Sequence, residues 1–193
     1  MMAEVEILHT GFSRLLGPGI EQAACTIALI RGAKTNTIVD TGSPTDKERL
    51  ETSLAQRGLR PHNIQFIVCT HGHADHTGNN NLFPAATIVS SLDVTKGDLF
   101  LSHDWTQPLA LDEDVSIEPA PGHTVKHNAV LAQTARGLVL IAGDTFIHEG
   151  DEDERETWLR HSELPEQHLE TRRRLRQRVT FIIPGHGPMF PVT

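Results

Sequence analysis

The sequence is poor in cysteine and lacks long apolar runs, and each shortage excludes a class of protein. Its 193 residues include two cysteines, Cys25 and Cys69, which lie far apart inside apolar stretches. This placement predicts reduced, buried thiols rather than a disulfide framework. No stretch approaches the roughly 18 apolar residues that span a bilayer, and the N-terminus lacks the basic and then apolar pattern of a secretion signal. We therefore expect a soluble cytoplasmic protein, with the nucleus as the alternative, and no membrane partner.

Basic charge and aromatic rings are also scarce. The 17 lysines and arginines stand against 25 acidic residues, and this net charge of -8 argues against a broad basic surface for nucleic acid. Aromatic residues make up 5% of the chain, with no tyrosine, so platforms for stacking single-stranded RNA are few. The one arginine cluster, within residues 172–178, follows three glutamates in a predicted helix. This order favours a solvated helix face over a phosphate-binding patch.

The apolar pattern predicts one domain over residues 1–193, rich in short strands. A chain of this length with 38% hydrophobic residues can bury a sizeable core. Strand-like runs bounded by turn residues occupy 5–9, 24–31, 37–40, 66–69, 87–90, 115–120, 128–133, 138–142 and 181–183. One helix is predicted from Ser43-Pro44 to Gly58 and another over 166–178. The charged stretch 151–155 is predicted as a loop or a helix start.

Metal-ligating side chains are concentrated in one short run. Directly after the predicted strand 66–69, the sequence places His71, His73, Asp75 and His76 within six residues. Packing requires no such density of polar groups. Two imidazoles separated by one residue in a tight loop can hold one metal ion, and the adjacent Asp-His pair can point to a second.

Three later strands end in glycine-containing loops that carry further ligand types. The run 115–120 leads to His123, the run 138–142 leads to Asp144, and the run 181–183 leads to His186. Taken singly, each Gly-His or Gly-Asp pair is an ordinary turn. Because ligands at the ends of several strands can converge on one point, their joint order favours a shared site.

This ordered set resembles the metal-binding motifs of the metallo-beta-lactamase fold superfamily, over essentially the whole chain. The resemblance implies an α/β fold built as a four-layer αββα sandwich. It also implies two Zn²⁺ ions per chain, with iron or manganese as alternatives. The implied ligands are His71, His73 and His123 for one ion, Asp75, His76 and His186 for the other, and Asp144 as the bridge. Asp40 recurs in the superfamily, and we expect it to hydrogen-bond to ligands rather than bind metal.

The ligand types indicate hydrolysis. A two-metal centre holds a bridging hydroxide at neutral pH and polarises the group that is attacked. Asp75 is the best placed carboxylate to orient or deprotonate the nucleophile. His148, four residues after Asp144, is a candidate proton donor for which a surface role is favoured. The other histidines have no ligand-like context, namely His9, His62, His103, His127, His161 and His168.

Features that the sequence lacks narrow the range of expected substrates. Antibiotic-cleaving members of the superfamily commonly have a cysteine ligand where Asp144 stands, so penicillin-type activity is disfavoured. The helical segment of glyoxalase II enzymes and the substrate-binding arms of the superfamily's nucleases are not evident. Finer similarity in residues 80–84, 143–146, 150–153 and 184–188 points to the metallo-beta-lactamase domain-containing protein 1 group, which looks like an endoribonuclease acting on histone pre-mRNA.

These considerations leave several hypotheses for substrate and partner. The first is hydrolysis of a phosphodiester in single-stranded RNA. An alternative is hydrolysis of a thioester or lactone in a small molecule, as in the glyoxalase II type. A hypothesis from a different functional class is a module that uses the metal site for redox chemistry or binding and not for hydrolysis. The lack of a flavin domain argues against it. Many relatives pair through surface helices, so a homodimer is one expected state.

Overall fold

Strands make up most of the regular structure in this computed structural model, which describes residues 2–152 and 155–192. The first strands are β1 (Glu4–His9), β2 (Phe12–Gly17), β3 (Ile20–Ala24), β4 (Ile27–Arg31), β5 (Asn36–Val39), β6 (Phe66–Cys69), β7 (Thr87–Ser90) and β8 (Asp93–Lys96). The later strands are β9 (Leu99–Leu101), β10 (Leu109–Asp112), β11 (Val115–Pro119), β12 (Asn128–Thr134), β13 (Gly137–Gly143), β14 (Phe181–Pro184) and β15 (Phe190–Pro191). The α-helices are α1 (Lys47–Ala55), α2 (Ala74–Thr77), α3 (Arg155–Leu159) and α4 (Pro165–Arg176).

Two sheets form the middle of the fold. One has the order β1-β4-β5-β6-β7-β8-β9, the other has the order β10-β11-β12-β13-β14-β15, and β2 pairs with β3 in a separate hairpin. Strands β5, β6 and β7 run parallel in the first sheet, as do β13 and β14 in the second. Parallel neighbours place their carboxyl ends at one edge of a sheet, and that edge carries the loops with the predicted ligands.

Alternating side chains on the strands produce the layers. In β4, Ala28 and Ile30 belong to the core between the two sheets, whereas Ile27 and Leu29 face outward to pack beneath α1. The second sheet is covered by α4, whose Leu175 packs on Leu140 and its neighbours. The order of layers is therefore α1, sheet, sheet, α4, which confirms the predicted αββα sandwich.

The N-terminal end of α1 follows its predicted capping signals. A 3-10 turn over Pro44–Asp46 precedes the helix, and the backbone N–H of Ser43 donates to Asp46 Oδ2 at 2.9 Å. Leu50 and Leu54, four residues apart, are the buried residues of α1. The helix ends at Ala55, three residues before Gly58.

The structure divides the predicted strand 24–31 into β3 and β4. The division occurs because Thr26 turns toward the C-terminal loop, where its N–H donates to Gly185 O at 2.6 Å and its hydroxyl donates to Gly187 O at 3.0 Å. Strands β2, β8, β9, β10 and β15 lie outside the sequence prediction. In β2 and β9 most residues are exposed, so burial imposes no apolar alternation that a sequence pattern could reveal.

One residue of the arginine cluster, Arg172, departs from the predicted solvated face, whereas Arg173, Arg174 and Arg178 are exposed as predicted. Arg172 is buried in an ion pair with Asp151, and Arg174 and Arg178 both contact Glu118. The charged stretch near Asp151 contains a 3-10 turn over Glu149–Glu152, while residues 153 and 154 lie outside the described part of the chain. Three of the arginines are thus engaged by carboxylates, which rules out a free phosphate-binding patch built from them.

Both cysteines are buried free thiols, as predicted. Among residues 2–152 and 155–192, no helix combines the length and the apolar character that crossing a bilayer requires.

Candidate metal centre

Four strand ends deliver the predicted ligands to one place. His71 follows β6 by two residues, His123 follows β11 by four, Asp144 directly follows β13, and His186 follows β14 by two. The end of β6 is linked to the start of β12. The N–H of Asn128 donates to the carbonyl of Thr70, directly before His71, at 2.6 Å. The two sheets therefore contribute to one site.

The first donor set consists of His71, His73, His123 and Asp144, whose ligand atoms lie within 4.8 Å of one another. His71 Nε2 lies 2.8 Å from His73 Nδ1, and His73 Nδ1 lies 3.2 Å from His123 Nε2. His123 Nε2 lies 3.4 Å from Asp144 Oδ2. Three imidazole nitrogens and one carboxylate oxygen therefore converge.

The second donor set consists of Asp75, His76 and His186. Asp75 Oδ2 lies 3.7 Å from His76 Nε2 and 3.8 Å from His186 Nε2. The other oxygen of Asp144, Oδ1, lies 3.4 Å from His76 Nε2 and 3.3 Å from His186 Nε2. Asp144 thus lies between the two sets: its Oδ2 is near His123 and its Oδ1 is near His76, while His186 Nε2 is 3.3 Å from both oxygens.

The donor sets fit metal ions on two grounds. Ligand atoms that are each about 2.1 Å from a tetrahedral ion lie about 3.4 Å apart, and the spacings above scatter around this value. In addition, Asp75 Oδ2, His76 Nε2 and Asp144 Oδ1 are buried without a hydrogen-bond partner. Unpaired buried polar atoms are costly, so their convergence indicates a site that a cation would satisfy.

Charge and burial set the protonation of these groups. Burial lowers the pKa of His71 and of His123, which leaves their nitrogens neutral and able to bind a cation. Burial also opposes protonation of His76, but Asp40 and Asp144 outweigh it and raise the pKa of that imidazole. Although burial acts in the opposite direction, His186 and His76 hold the pKa of Asp144 well below its ordinary value. The carboxylates thus favour positive charge within the second set.

Asp40 supports the second set, as expected from the sequence. Its Oδ2 accepts a hydrogen bond from His76 Nδ1 at 2.8 Å, and its two oxygens accept the N–H and the hydroxyl of Thr70. This contact fixes the proton of His76 on Nδ1 and turns Nε2 toward the donor atoms.

Cys25, Asp40 and His76 form a third group of buried potential ligands. The oxygens of Asp40 already accept three hydrogen bonds from protein donors. Burial, followed by the charge of Asp40, raises the pKa of the Cys25 thiol well above its ordinary value, so it stays protonated and is a poor ligand. These three residues therefore belong to the supporting layer.

The centre is open on one side. His73 is exposed and Asp75 is half-buried, whereas His71 and His76 have no exposed surface. The β2–β3 hairpin borders this side, because His186 Nδ1 donates to the carbonyls of Phe12 and Ala24 at its base. The hairpin carries four exposed apolar side chains, those of Phe12, Leu15, Leu16 and Ile20.

Two histidines without ligand-like context in the sequence contribute to the surroundings of the centre. His127 is fully buried, and its ring stacks on that of His71 with a centroid distance of 5.0 Å. His168 is also fully buried, 6.4 Å from the ring of His123. The sequence did contain a signal that His127 lies near the centre, because it follows His123 by four residues in one loop. His148 is half-buried beside Gly187 and is not among the grouped donors.

A family model described as the Metallo-beta-lactamase superfamily matches residues 21–186. The chain belongs to this superfamily. The fold is similar to that of a Thermotoga maritima protein of known structure, assigned to the metallo-beta-lactamases. The two superpose with a TM-score of 0.75 at 20% identity, over 99% of this chain and 100% of that one. This match supports the sandwich fold.

Two curated relatives extend the comparison. Metallo-beta-lactamase domain-containing protein 1 of Xenopus laevis is 37% identical over 97% of this chain and 81% of its own length. An N-acyl homoserine lactonase of Bacillus cereus is 26% identical over 57% of this chain and 50% of its own length. The superfamily and such neighbours include metal-dependent hydrolases, and the site geometry described above is consistent with that class.

Proposed function

We propose that this protein is a hydrolase that depends on two metal ions, held by the first donor set, the second donor set and the shared Asp144. The observation that carries this proposal is the position of the Asp144 carboxylate between the sets, with Oδ2 3.4 Å from His123 Nε2 and Oδ1 3.4 Å from His76 Nε2. Imidazole and carboxylate donors in this number suit zinc, and iron or manganese would accept the same donors.

When bound, such ions activate water at neutral pH and polarise the oxygen of the substrate. The chain itself supplies orientation and proton handling. Asp40 holds the proton of His76 on Nδ1, and the carbonyls of Phe12 and Ala24 hold that of His186 on Nδ1. Asp75, the half-buried carboxylate at the open side, would orient the attacking water and accept its proton.

For the substrate, we propose a phosphodiester, with cleavage of the endonuclease type. Two neighbouring cations can stabilise both the attacking and the leaving oxygen of an in-line displacement, which is the arrangement that phosphodiester cleavage uses. The similarity to metallo-beta-lactamase domain-containing protein 1 supports this choice, because sequence resemblance to that group implied action on RNA.

A thioester or lactone is the second candidate, and one structural observation favours it. The hairpin beside the open side exposes Leu15, Leu16 and Ile20, a surface suited to an acyl group rather than to a phosphate backbone. The similarity to the Bacillus cereus N-acyl homoserine lactonase agrees with this candidate.

Metal analysis combined with one substrate panel tests both proposals. The purified protein is expected to contain two metal ions per chain. Its hydrolysis of bis-p-nitrophenyl phosphate, S-D-lactoylglutathione, a homoserine lactone and labelled single-stranded RNA would rank the substrate classes. His123→Ala and Asp144→Ala should lower the metal content and reduce hydrolysis to background, because each removes a donor atom.

The exposed His62 provides a matched control, since His62→Ala removes an imidazole that belongs to neither donor set. Retention of two ions in both His123→Ala and Asp144→Ala would refute the assignment of the centre. RNA cleavage indifferent to Asp144→Ala would identify a contaminating nuclease. Oxygen consumption without hydrolysis would indicate a redox module instead.

A further inference from the structure

Helix α4 connects two of the loops that carry proposed ligands. Its buried face consists of His168, Thr171, Arg172 and Leu175, spaced at one and two helical turns. Leu175 packs in the apolar layer, but the other three side chains make polar contacts with loop backbone. A buried helix face with this much polar character requires a partner for every donor and acceptor.

The first loop that α4 contacts is the one with His123. Thr171 Oγ1 donates to Pro121 O at 2.8 Å, and the N–H of Leu164, just before the helix, donates to Gly122 O at 2.9 Å. Gly122 has a φ of 150°, and a Cβ there would lie 2.4 Å from the Cα of His168. The loop therefore lies directly against the helix, with no room for a side chain between them.

The second loop that α4 contacts is the one with Asp144. The contact is made to the carbonyl of the following residue, Thr145. Thr145 O accepts hydrogen bonds from Arg172 Nη1 at 2.7 Å and from His168 Nε2 at 3.2 Å. Two buried donors on one carbonyl fix the peptide plane between Thr145 and Phe146, one residue beyond Asp144. This restricts how the backbone of the Asp144 loop can move.

Arg172 is itself held rigidly. Asp151 Oδ1 accepts from its Nη2 at 2.6 Å and Asp151 Oδ2 accepts from its Nη1 at 3.0 Å. Its guanidinium also lies over the ring of Phe146 at 4.2 Å and near that of Trp158 at 5.0 Å. A planar, doubly bonded guanidinium between aromatic rings has little freedom to move.

We infer that His168 and Arg172 are positioning residues of the candidate metal centre: they set the spacing between His123 and Asp144, the two members of the first donor set that α4 can reach. This inference rests on the proposed function. A helix that contacts Pro121, Gly122 and Thr145 at once fixes the separation of the loops, and metal affinity depends on that separation.

The test compares metal affinity with stability in matched variants. Arg172→Met removes the donor to Thr145 O, and Arg172→Lys keeps the charge but cannot contact both Asp151 oxygens and Thr145 O together. Arg178→Met is the control, since Arg178 pairs with Glu118 at the surface and contacts neither ligand loop in the described residues. Stepwise Zn²⁺ affinity, the absorption spectrum of the Co²⁺-substituted protein and the melting temperature are measured for each.

We expect Arg172→Met to bind one of two Zn²⁺ ions roughly 10-fold or more weakly, with an altered Co²⁺ spectrum. Arg172→Lys should lie between it and the wild type, and Arg178→Met should bind like the wild type. If Arg172→Met melts earlier but keeps wild-type affinity and spectrum, the role is only structural and the inference is wrong.

A double variant covers the case in which Arg172→Met does not fold. Arg172→Met with Asp151→Asn removes both buried charges, while the amide oxygen can still accept from the Ile147 N–H, which donates to Asp151 Oδ2 at 2.6 Å. Restored stability with weakened metal binding would support the inference, whereas restoration of both would overturn it. Failure of the proposed function is separable, because the wild type would then bind no metal at all.

Discussion

Asp40 has a left-handed backbone conformation, with a φ of 60°, that costs a non-glycine residue on the order of 1 kcal/mol. The fold keeps this strain because the conformation turns the Asp40 carboxylate back onto Thr70 and His76. Strain of this kind is concentrated at functional sites, where the surrounding contacts enforce it.

Replacement of Asp40 by asparagine changes the hydrogen bond with His76 but keeps the backbone conformation of the residue. Asparagine tolerates a positive φ and has nearly the same volume. Its amide would offer a donor to His76 Nδ1, which moves the imidazole proton to Nε2, the atom that faces the second donor set. We expect Asp40→Asn to remain folded and to bind the second metal ion roughly 10- to 100-fold more weakly. Titration with Zn²⁺ measures this, and unchanged affinity would show that the Asp40 contact does not orient His76.

At the level of elements, the centre depends on close contact between the ends of β6 and β13. Gly143, the last residue of β13, has a φ of 50°, and a Cβ on it would lie 2.5 Å from the Cβ of Thr70. Thr70 directly precedes His71, and Gly143 directly precedes Asp144. The absence of a side chain at this one position therefore lets two strands from different sheets bring their ligands together.

Gly143→Ala should force these strand ends apart. We expect a loss in the free energy of unfolding of roughly 3 kcal/mol, from steric overlap and the positive φ together, with reduced metal content. Gly58→Ala is the matched control, because Gly58 also has a positive φ but open space around its Cβ position. It should lose only about 1 kcal/mol and keep its metal. Equal losses in urea denaturation would contradict the proposed close contact.

Stability of the whole molecule should depend on pH through its buried histidines. Burial lowers the pKa of His168 to about 4, although the hydrogen bond with Thr145 O opposes that shift. The unfolded chain binds this proton near pH 6.5, the folded chain only near pH 4. Between these values the unfolded state holds more protons, so acidification favours unfolding.

The contribution of His168 to the free energy of unfolding should therefore fall by up to about 3 kcal/mol as pH is lowered from about 6.5 to about 4. Urea denaturation in the presence of a chelator measures the decrease. His168→Gln should show a correspondingly smaller decrease over this range, and His62→Gln, at an exposed position, should behave like the wild type. Parallel curves for the wild type and His168→Gln would contradict the assignment.

The sequence pattern indicated the buried strands and the candidate ligands, whereas the αββα class was implied by family resemblance. It could do so because buried strands carry continuous or alternating apolar runs, and because ligands such as His71 and Asp75 follow them in short, distinctive loops. The grouping of ligands came from family resemblance, and the structure places the same atoms together. The exposed strands β2 and β9 left no such pattern, since no burial selects their residues.

Only the tertiary structure identified the residues that contact the ligands or their loops without belonging to either donor set. His168 and Arg172 are distant in sequence from the His71 to His76 run, and nothing in their neighbours distinguishes a buried histidine or arginine from a surface one. His127 had one signal, its position four residues after His123. Their roles arise from packing: a ring stacked on His71, and two donors on Thr145 O. The local spacing of residues in the sequence identifies the candidate ligands. Their positions in space depend on contacts between elements that meet only when the chain is folded.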